Sequence, residues 1–252
     1  MLSKATLKLI KSLEHKKYRK ESGLFVAEGG KTVNDLIDCG IKAEAVFATE
    51  KWIETHKLSG GIKAETVTEE ELKRASFLCA PQGVVALFRQ PSYSIDMNAP
   101  KERLCLALDN VQDPGNIGTI IRIADWFGIE ELYCSTGCAD AYSPKTVQAT
   151  MGALGRVKVF YVDLPAFLGE AKKSAPVYGT FLDGGSIYGK SLCNNGIIIM
   201  GNEGNGISDS CAQHVNERLF IPNYPAGRST SESLNVSTAT AIICSEFRRR
   251  IS

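Results

Sequence analysis

Apolar residues recur along the chain at two different periods. At Ile117, Ile120, Ile121, Ala124 and Phe127, and again at Val236, Ala239, Ile243 and Phe247 with Ile242 beside them, they return every three or four residues. That is the spacing of one buried helix face. Elsewhere they run almost unbroken, at Gly83 to Phe88, Leu104 to Leu108 and Gly196 to Met200. Such runs are strands covered on both faces. Between these anchors the pattern predicts helices over 31–39, stopped by Gly40, over 51–56, over 69–75 with Thr68 as a cap, and over 143–151, 164–173 and 208–214. It predicts strands over 24–29, 45–48, 63–67, 131–134, 157–161, 177–181 and 218–221. The alternation reads as an α/β fold, its C-terminal part a mostly parallel sheet with helices on both faces.

One stretch interrupts the alternation. Pro91 through Pro100 holds two prolines, Ser92, Ser94 and Asn98 without sustained periodicity. A boundary there gives a small α/β domain over 1–92 and a larger one over 101–252. Composition adds little: 44% of the 252 residues are hydrophobic, 23% are charged, and net charge is +1. No overall field draws a polyanion, so nucleic acid has to be met by local patches. The clearest patch is residues 1–22, where Lys4, Lys8, Lys11, Lys16, Lys17, Arg19 and Lys20 face Glu14 and Glu21. Leu2, Leu7, Ile10 and Leu13 can still form a helical stripe beneath them. The same charges suit a solvated face or a phosphate-contacting one, and both readings stay open. No apolar run approaches the about 20 residues of a membrane helix, and the first residues lead into an amphipathic segment. The eight cysteines show no CxxC pair, and Cys134 and Cys138, the only close pair, have no His nearby. A cytoplasmic protein with buried reduced thiols, no metal and no membrane contact is the expectation.

Polar residues concentrate where three strands end. After 104–108 comes Asp109-Asn110-Val111-Gln112-Asp113-Pro114-Gly115-Asn116-Ile117-Gly118. Pro114 and Gly115 read as the turn, and Asn116 as the cap of the helix that carries Arg122. That guanidinium can grip an anion or lie over apolar neighbours, and spacing does not choose. After 196–200 comes Gly201-Asn202-Glu203-Gly204-Asn205-Gly206-Ile207-Ser208. Its spacing is neither the dinucleotide fingerprint nor a phosphate loop. After 218–221 a long polar loop from Pro222 delivers Ser233-Leu234-Asn235-Val236-Ser237. Ser233 reads as the cap of a helix running from Leu234 to about Arg250, and Arg248, Arg249 and Arg250 complement its dipole. Asn235, one residue in, is a mediocre helix former there and needs a reason.

Asp113-Pro114-Gly115-Asn116-Ile117-Gly118 with Arg122, Gly201-Asn202-Glu203-Gly204, and Ile221-Pro222 with Ser233-Leu234-Asn235-Val236-Ser237 resemble the three motifs of the SpoU/TrmH family, in family order. These are RNA ribose 2′-O-methyltransferases of the SPOUT superfamily. Phe25-Val26-Ala27-Glu28-Gly29 and Pro81-Gln82-Gly83-Val84 resemble, less sharply, the family's small substrate-binding domain. The resemblance implies S-adenosyl-L-methionine (AdoMet) held in a C-terminal trefoil knot, a homodimer, and structured RNA as substrate, rRNA ahead of tRNA. It implies Asn116, Arg122, Glu203, Ser233 and Asn235 as the catalytic polar set, and Gly201, Ile221 and Leu234 as contacts to the methyl donor. The stretch from Pro222 to Ser233 is longer than in compact relatives, with Asn223 where Met is usual. It offers little apolar area, so loop 223–232 is expected to order when ligand binds, with Tyr224 and Arg228 as RNA contacts. Two rivals are a non-catalytic RNA-binding assembly factor of the same fold, disfavoured by the intact polar set, and a Rossmann-type dehydrogenase, disfavoured by the missing Gly-rich fingerprint.

Overall fold

In the computed structural model, which describes residues 2–225, 228 and 233–249, the chain begins α1 (Lys4–Ser12), α2 (Lys16–Ser22), β1 (Leu24–Glu28), α3 (Gly30–Asp38), β2 (Ala43–Thr49), α4 (Glu50–Thr55), β3 (Glu65–Val67), α5 (Glu69–Ala75) and β4 (Val84–Arg89). It continues α6 (Ala99–Glu102), β5 (Leu104–Leu108), α7 (Pro114–Trp126), β6 (Glu131–Ser135), α8 (Pro144–Thr150), β7 (Lys158–Val162) and α9 (Leu164–Ala171). It closes with β8 (Val177–Ser186), β9 (Gly196–Met200), α10 (Asp209–Ala212), β10 (Glu217–Phe220) and α11 (Val236–Arg249).

Two compact units form. The first holds residues 1–92 and, from later in the chain, 140–156; the second holds 93–139 and 157–252. Segment 140–156, which carries α8, lies inside the span 101–252 that the sequence reads as one domain. Its Tyr142 ring packs 5.1 Å from Phe25 in the first unit's core. The first unit's sheet runs β1-β4-β2-β3, antiparallel except for the β2–β3 pair. Beneath it the predicted stripe is real, with Ile10 and Leu13 fully buried. The basic segment is two helices rather than one, and Arg19 faces inward. Its guanidinium donates to Asp140 Oδ2 at 2.6 and 3.0 Å and to the carbonyls of Leu13 and Glu14.

The second unit's sheet is parallel throughout, in the order β10-β8-β9-β5-β6-β7. Alternate strand residues serve opposite faces. Cys105, Ala107, Tyr133, Ile197 and Ile199 pack with Leu164, Phe167 and Leu168 of α9 and Cys211 of α10. On the other side Tyr178 meets Phe247 of α11 edge-on, with ring centres 4.9 Å apart. In α7, Ile117, Ile120, Ile121 and Ala124 are fully buried, each large side chain contributing about 1.5–3 kcal/mol. Arg248 ties α7 to α11, donating to the Phe127 and Gly128 carbonyls at 2.7 and 3.1 Å. It therefore serves the neighbouring helix's C-terminus rather than its own, while Arg249 pairs with Glu246, and Arg250 lies outside the described residues. Five cysteines are buried free thiols, but Cys39 is half-buried and Cys79 and Cys193 are exposed, which corrects the expectation of uniform burial.

Candidate active site

The carboxyl ends of β5, β9 and β10 carry the three loops. At the first, Asn110 turns the chain with φ +55°, and Asp113 rather than Asn116 is the N-cap of α7. Asp113 Oδ1 accepts the Asn116 N–H at 2.8 Å, and Pro114 takes the first helical position, where a missing N–H costs nothing. Asn116 thus sits in the first turn with its side-chain amide unspent by capping.

The second loop is clamped to the first. Asn202 and Gly206 exchange backbone hydrogen bonds, both at 2.9 Å. Asn202 Oδ1 accepts the N–H groups of Gly204 and Asn205, and its Nδ2 donates to the Asn110 carbonyl at 2.7 Å. Buried Asp109 accepts from Ser208 N at 2.8 Å and Ser208 Oγ at 2.6 Å. Gly201 allows this closure: a Cβ there would lie 2.2 Å from the Gly206 carbonyl carbon. Under the first loop the Cys134 thiol, by hydrogen bonding, brings Cys138 down to about 7 against the effect of burial. Asp109, Asn202 and Ser208 escaped the sequence reading. Asp109 alone had a signal, an acid placed directly after an apolar strand.

The third loop meets the other two at Asn235, which is the cap of α11; Ser233 is not. Asn235 Oδ1 accepts from Ser237 N at 3.0 Å, Ser237 Oγ at 2.6 Å and Thr238 N at 3.3 Å. This corrects the predicted helix start from Leu234 to Val236 and supplies the reason Asn235 needed. Because its oxygen is committed to N–H donors, its Nδ2 must face outward, and it donates to Asn116 Oδ1 at 3.0 Å. Asn116 Nδ2 then donates to Glu203 Oε1 at 2.9 Å. One hydrogen-bonded chain, from the Asn235 amide to the Asn116 amide to the Glu203 carboxylate, fastens all three loops.

Not every candidate joins it. Arg122 is exposed on α7 and takes no hydrogen bond or ion pair among the described residues. Ser233 is exposed and outside the network. Of the proposed donor contacts, Gly201 is buried, Ile221 is half-buried and Leu234 is exposed. Among the described residues the backbone groups of these three carry no hydrogen bond. Exposed groups such as those of Leu234 are open to solvent, while Gly201 is the one of the three that is buried. In the long loop, Tyr224 is 90% exposed and Asn223 Nδ2 donates to the Arg228 carbonyl at 3.0 Å. Residues 226, 227 and 229–232, where most of the expected loop ordering falls, lie outside the described residues.

Loops converging at the carboxyl edge of a doubly covered parallel sheet define a ligand site of the open α/β class. The model of the SpoU rRNA Methylase family matches residues 103–245, and that of the MRM3-like substrate binding domain matches residues 4–86. The chain is 31% identical over 241 residues to the 23S rRNA (guanosine(2553)-2′-O)-methyltransferase RlmP of Bacillus subtilis, covering 94% of each protein. It superposes with a TM-score of 0.86 on a TrmH-family structure from Porphyromonas gingivalis, at 40% identity and with 99% of each chain covered. The AdoMet-bound rRNA methyltransferase from Sinorhizobium meliloti gives a TM-score of 0.84 at 29% identity, covering 100% of this chain and 97% of that one. The chain belongs to the SpoU rRNA methylase family.

Proposed function

We propose that the protein methylates a ribose 2′-hydroxyl of ribosomal RNA with AdoMet as donor. The observation that carries this reading is the hydrogen-bonded chain from Asn235 through Asn116 to the Glu203 carboxylate, which joins the loops that follow three parallel strands. The 2′-O-methyltransferase named among its relatives supports rRNA over tRNA as the substrate class.

Gly201, Ile221 and Leu234 would hold the donor, chiefly through backbone N–H and C=O groups. When bound, AdoMet supplies an electrophilic methyl group on a sulfonium sulfur. The chain's own residues have to place the ribose oxygen, stabilise the charge that develops on it and let its proton leave. Arg122 suits the second task. A guanidinium stays protonated, with a pKa above about 12, so it serves as an electrostatic clamp on the developing alkoxide or a neighbouring phosphate and not as a base. The proton passes to water or to a phosphate oxygen of the RNA. Asn116 and Glu203 orient the loop, and Ser233 and Asn235 fix the ribose side.

Residues 1–92 supply RNA affinity and target choice, while 101–252 carry the chemistry. The C-terminal segment closes a trefoil knot. This is supported by the hydrogen bond from Asn235, which follows edge strand β10, to Asn116, which follows β5 three places across the sheet. A cytoplasmic homodimer forms through the second unit, where Trp126, 85% exposed, offers apolar contact area. The test is transfer of labelled methyl from AdoMet to rRNA, with the product mapped as an alkali-resistant linkage. Absence of transfer to rRNA alongside transfer to tRNA would overturn the substrate class.

A further inference from the structure

The polar network leaves unexplained a second concave region, far in sequence from the three loops. It lies wholly in the first unit, around the C-terminal end of α4. Trp52 and His56, one turn apart, stack with ring centres 4.8 Å apart and planes 4° from parallel. The indole is fixed from beneath. It is 7% exposed, and a Cβ added at Gly30 or Gly83 would lie 2.8 or 2.7 Å from it. Gly83, at φ +80°, belongs to the Pro81-Gln82-Gly83-Val84 stretch, so that motif serves to seat the Trp. His56 by contrast is exposed. Its Nδ1 lies 3.2 Å from the Trp52 carbonyl and 2.8 Å from Thr55 Oγ1. These two contacts tie the edge of the imidazole to the end of α4 and set the ring's tilt.

Two cavities open on this pair, of about 400 and about 290 Å³, and both are lined by Trp52 and His56. Lys51 and Lys73 border the first, along with Glu69, and Lys63 borders the second. The three lysines are exposed, and none is paired among the described residues. An exposed aromatic ring held flat by a buried one, beside unpaired cations, is the arrangement that takes an unstacked base and its phosphates. A plain core Trp would explain the indole; it would not explain an exposed imidazole lying parallel on it between two cavities.

We infer that the face of His56, backed by Trp52 and flanked by Lys51, Lys63 and Lys73, is a stacking subsite for a single-stranded nucleotide of the RNA substrate. The inference rests on the reading of the protein as an RNA-modifying enzyme and adds a specific anchor outside the three loops. Charge complementarity favours RNA as the occupant, because three lysines and one carboxylate line the two cavities.

The test uses the full-length protein, with fluorescence anisotropy of labelled oligouridine and oligoadenosine, and calorimetric titration with AdoMet run in parallel. Base stacking predicts that His56→Ala weakens oligonucleotide binding roughly fivefold to a hundredfold, that His56→Phe restores it, and that AdoMet affinity is the same in all three proteins. His56 is exposed, so neither variant threatens the fold, and circular dichroism checks this. Binding by His56→Ala equal to the wild type overturns the subsite, as does a His56→Phe variant no better than His56→Ala, or a wild type that takes up neither oligonucleotide. The AdoMet arm reads the methyltransferase assignment separately. A protein with the His56 pattern but no AdoMet binding would keep the subsite and lose that assignment.

Discussion

Asn235 uses opposite ends of one amide for two purposes. The oxygen caps α11 and the nitrogen bridges to Asn116, so stability and site geometry can be separated by substitution. Asn235→Asp keeps an acceptor for the cap and adds favourable charge at a helix N-terminus, but it cannot donate to Asn116. Thermal stability is expected to hold while methyl transfer falls about tenfold, the worth of one hydrogen bond. Asn235→Ala should lose that activity and about 1 kcal/mol of stability as well. If Asp and Ala proved equally active and equally stable, the dual role would be wrong. Arg122 tests the chemistry more directly. Arg122→Ala is expected to abolish transfer while AdoMet affinity stays within a few-fold, because the donor is assigned to backbone at Gly201, Ile221 and Leu234. Arg122→Lys should not rescue, since an ammonium lacks the planar fork; near-normal turnover in either variant would remove Arg122 from the mechanism. The resemblance pointed to Asn116 and Asn235, whereas spacing put the caps on the wrong residues. Asp113 and Asn116, like Ser233 and Asn235, are both competent caps within three residues, and periodicity cannot choose between them.

Elements defined by a local device could be read from the sequence, and those defined by a distant backbone could not. Thr68 and Glu71 complete a capping box, so α5 falls where the sequence puts it. The unbroken runs of β5 and β9 gave their boundaries directly. β8 instead runs on to Ser186, five residues past its apolar stretch. A Cβ at Gly184 would lie 2.7 Å from the Leu219 backbone, so the glycines that ended the apolar pattern are what admit the neighbouring strand. In α11 the buried face includes Thr240, not the predicted Ala239; its hydroxyl is satisfied by the Val236 carbonyl at 2.7 Å. Two expectations belong at this scale. Gly201→Ala should open the loop held between Asn202 and Gly206 and weaken AdoMet binding in a calorimetric titration, leaving the far-ultraviolet spectrum unchanged. The second concerns Glu28 at the end of β1. Burial raises its carboxyl above the usual value, against hydrogen bonds from the Ser76 hydroxyl and the Phe77 N–H. A folded-state pKa above the unfolded one means that the folded chain holds the proton more tightly. That contribution is complete below the ordinary value of 4.5 and is lost as pH rises through the raised one. Glu28→Gln stays neutral, so its melting temperature should gain on the wild type between acid and neutral pH. Parallel melting curves across that range would show that Glu28 ionises without cost.

At the scale of the whole molecule, the first unit is assembled from two stretches of chain that the linker at 91–100 does not separate. Arg19, 3% exposed, joins them through Asp140, and its other donors fill the Leu13 and Glu14 carbonyls. No periodicity links positions 121 residues apart, which is why the sequence left 140–156 with the second domain. Removing one partner of a buried pair strands the other charge, so Arg19→Met should cost about 3–5 kcal/mol in denaturant unfolding. The same geometry sharpens the expectation for RNA. Of the basic residues that open the chain, Arg19 is buried, Lys11 donates to the Ser76 carbonyl at 2.7 Å, and Lys17 lies 4.0 Å from Glu21. Lys4, Lys8 and Lys20 remain exposed and unpaired among the described residues. Each phosphate contact contributes about 0.9 to the slope of log affinity against log salt on duplex, and about 0.7 on single strands. Changing Lys4, Lys8 and Lys20 together to Gln should therefore flatten that slope for rRNA by about two if these helices lie on the RNA. Deleting residues 1–92 would be a poorer test, because it strips the cover from Tyr142 and leaves Asp140 without its partner. AdoMet titration should be unaffected in the triple variant. An unchanged slope would move the phosphate contacts to Lys51, Lys63 and Lys73 around His56, or to Arg228 in the second unit.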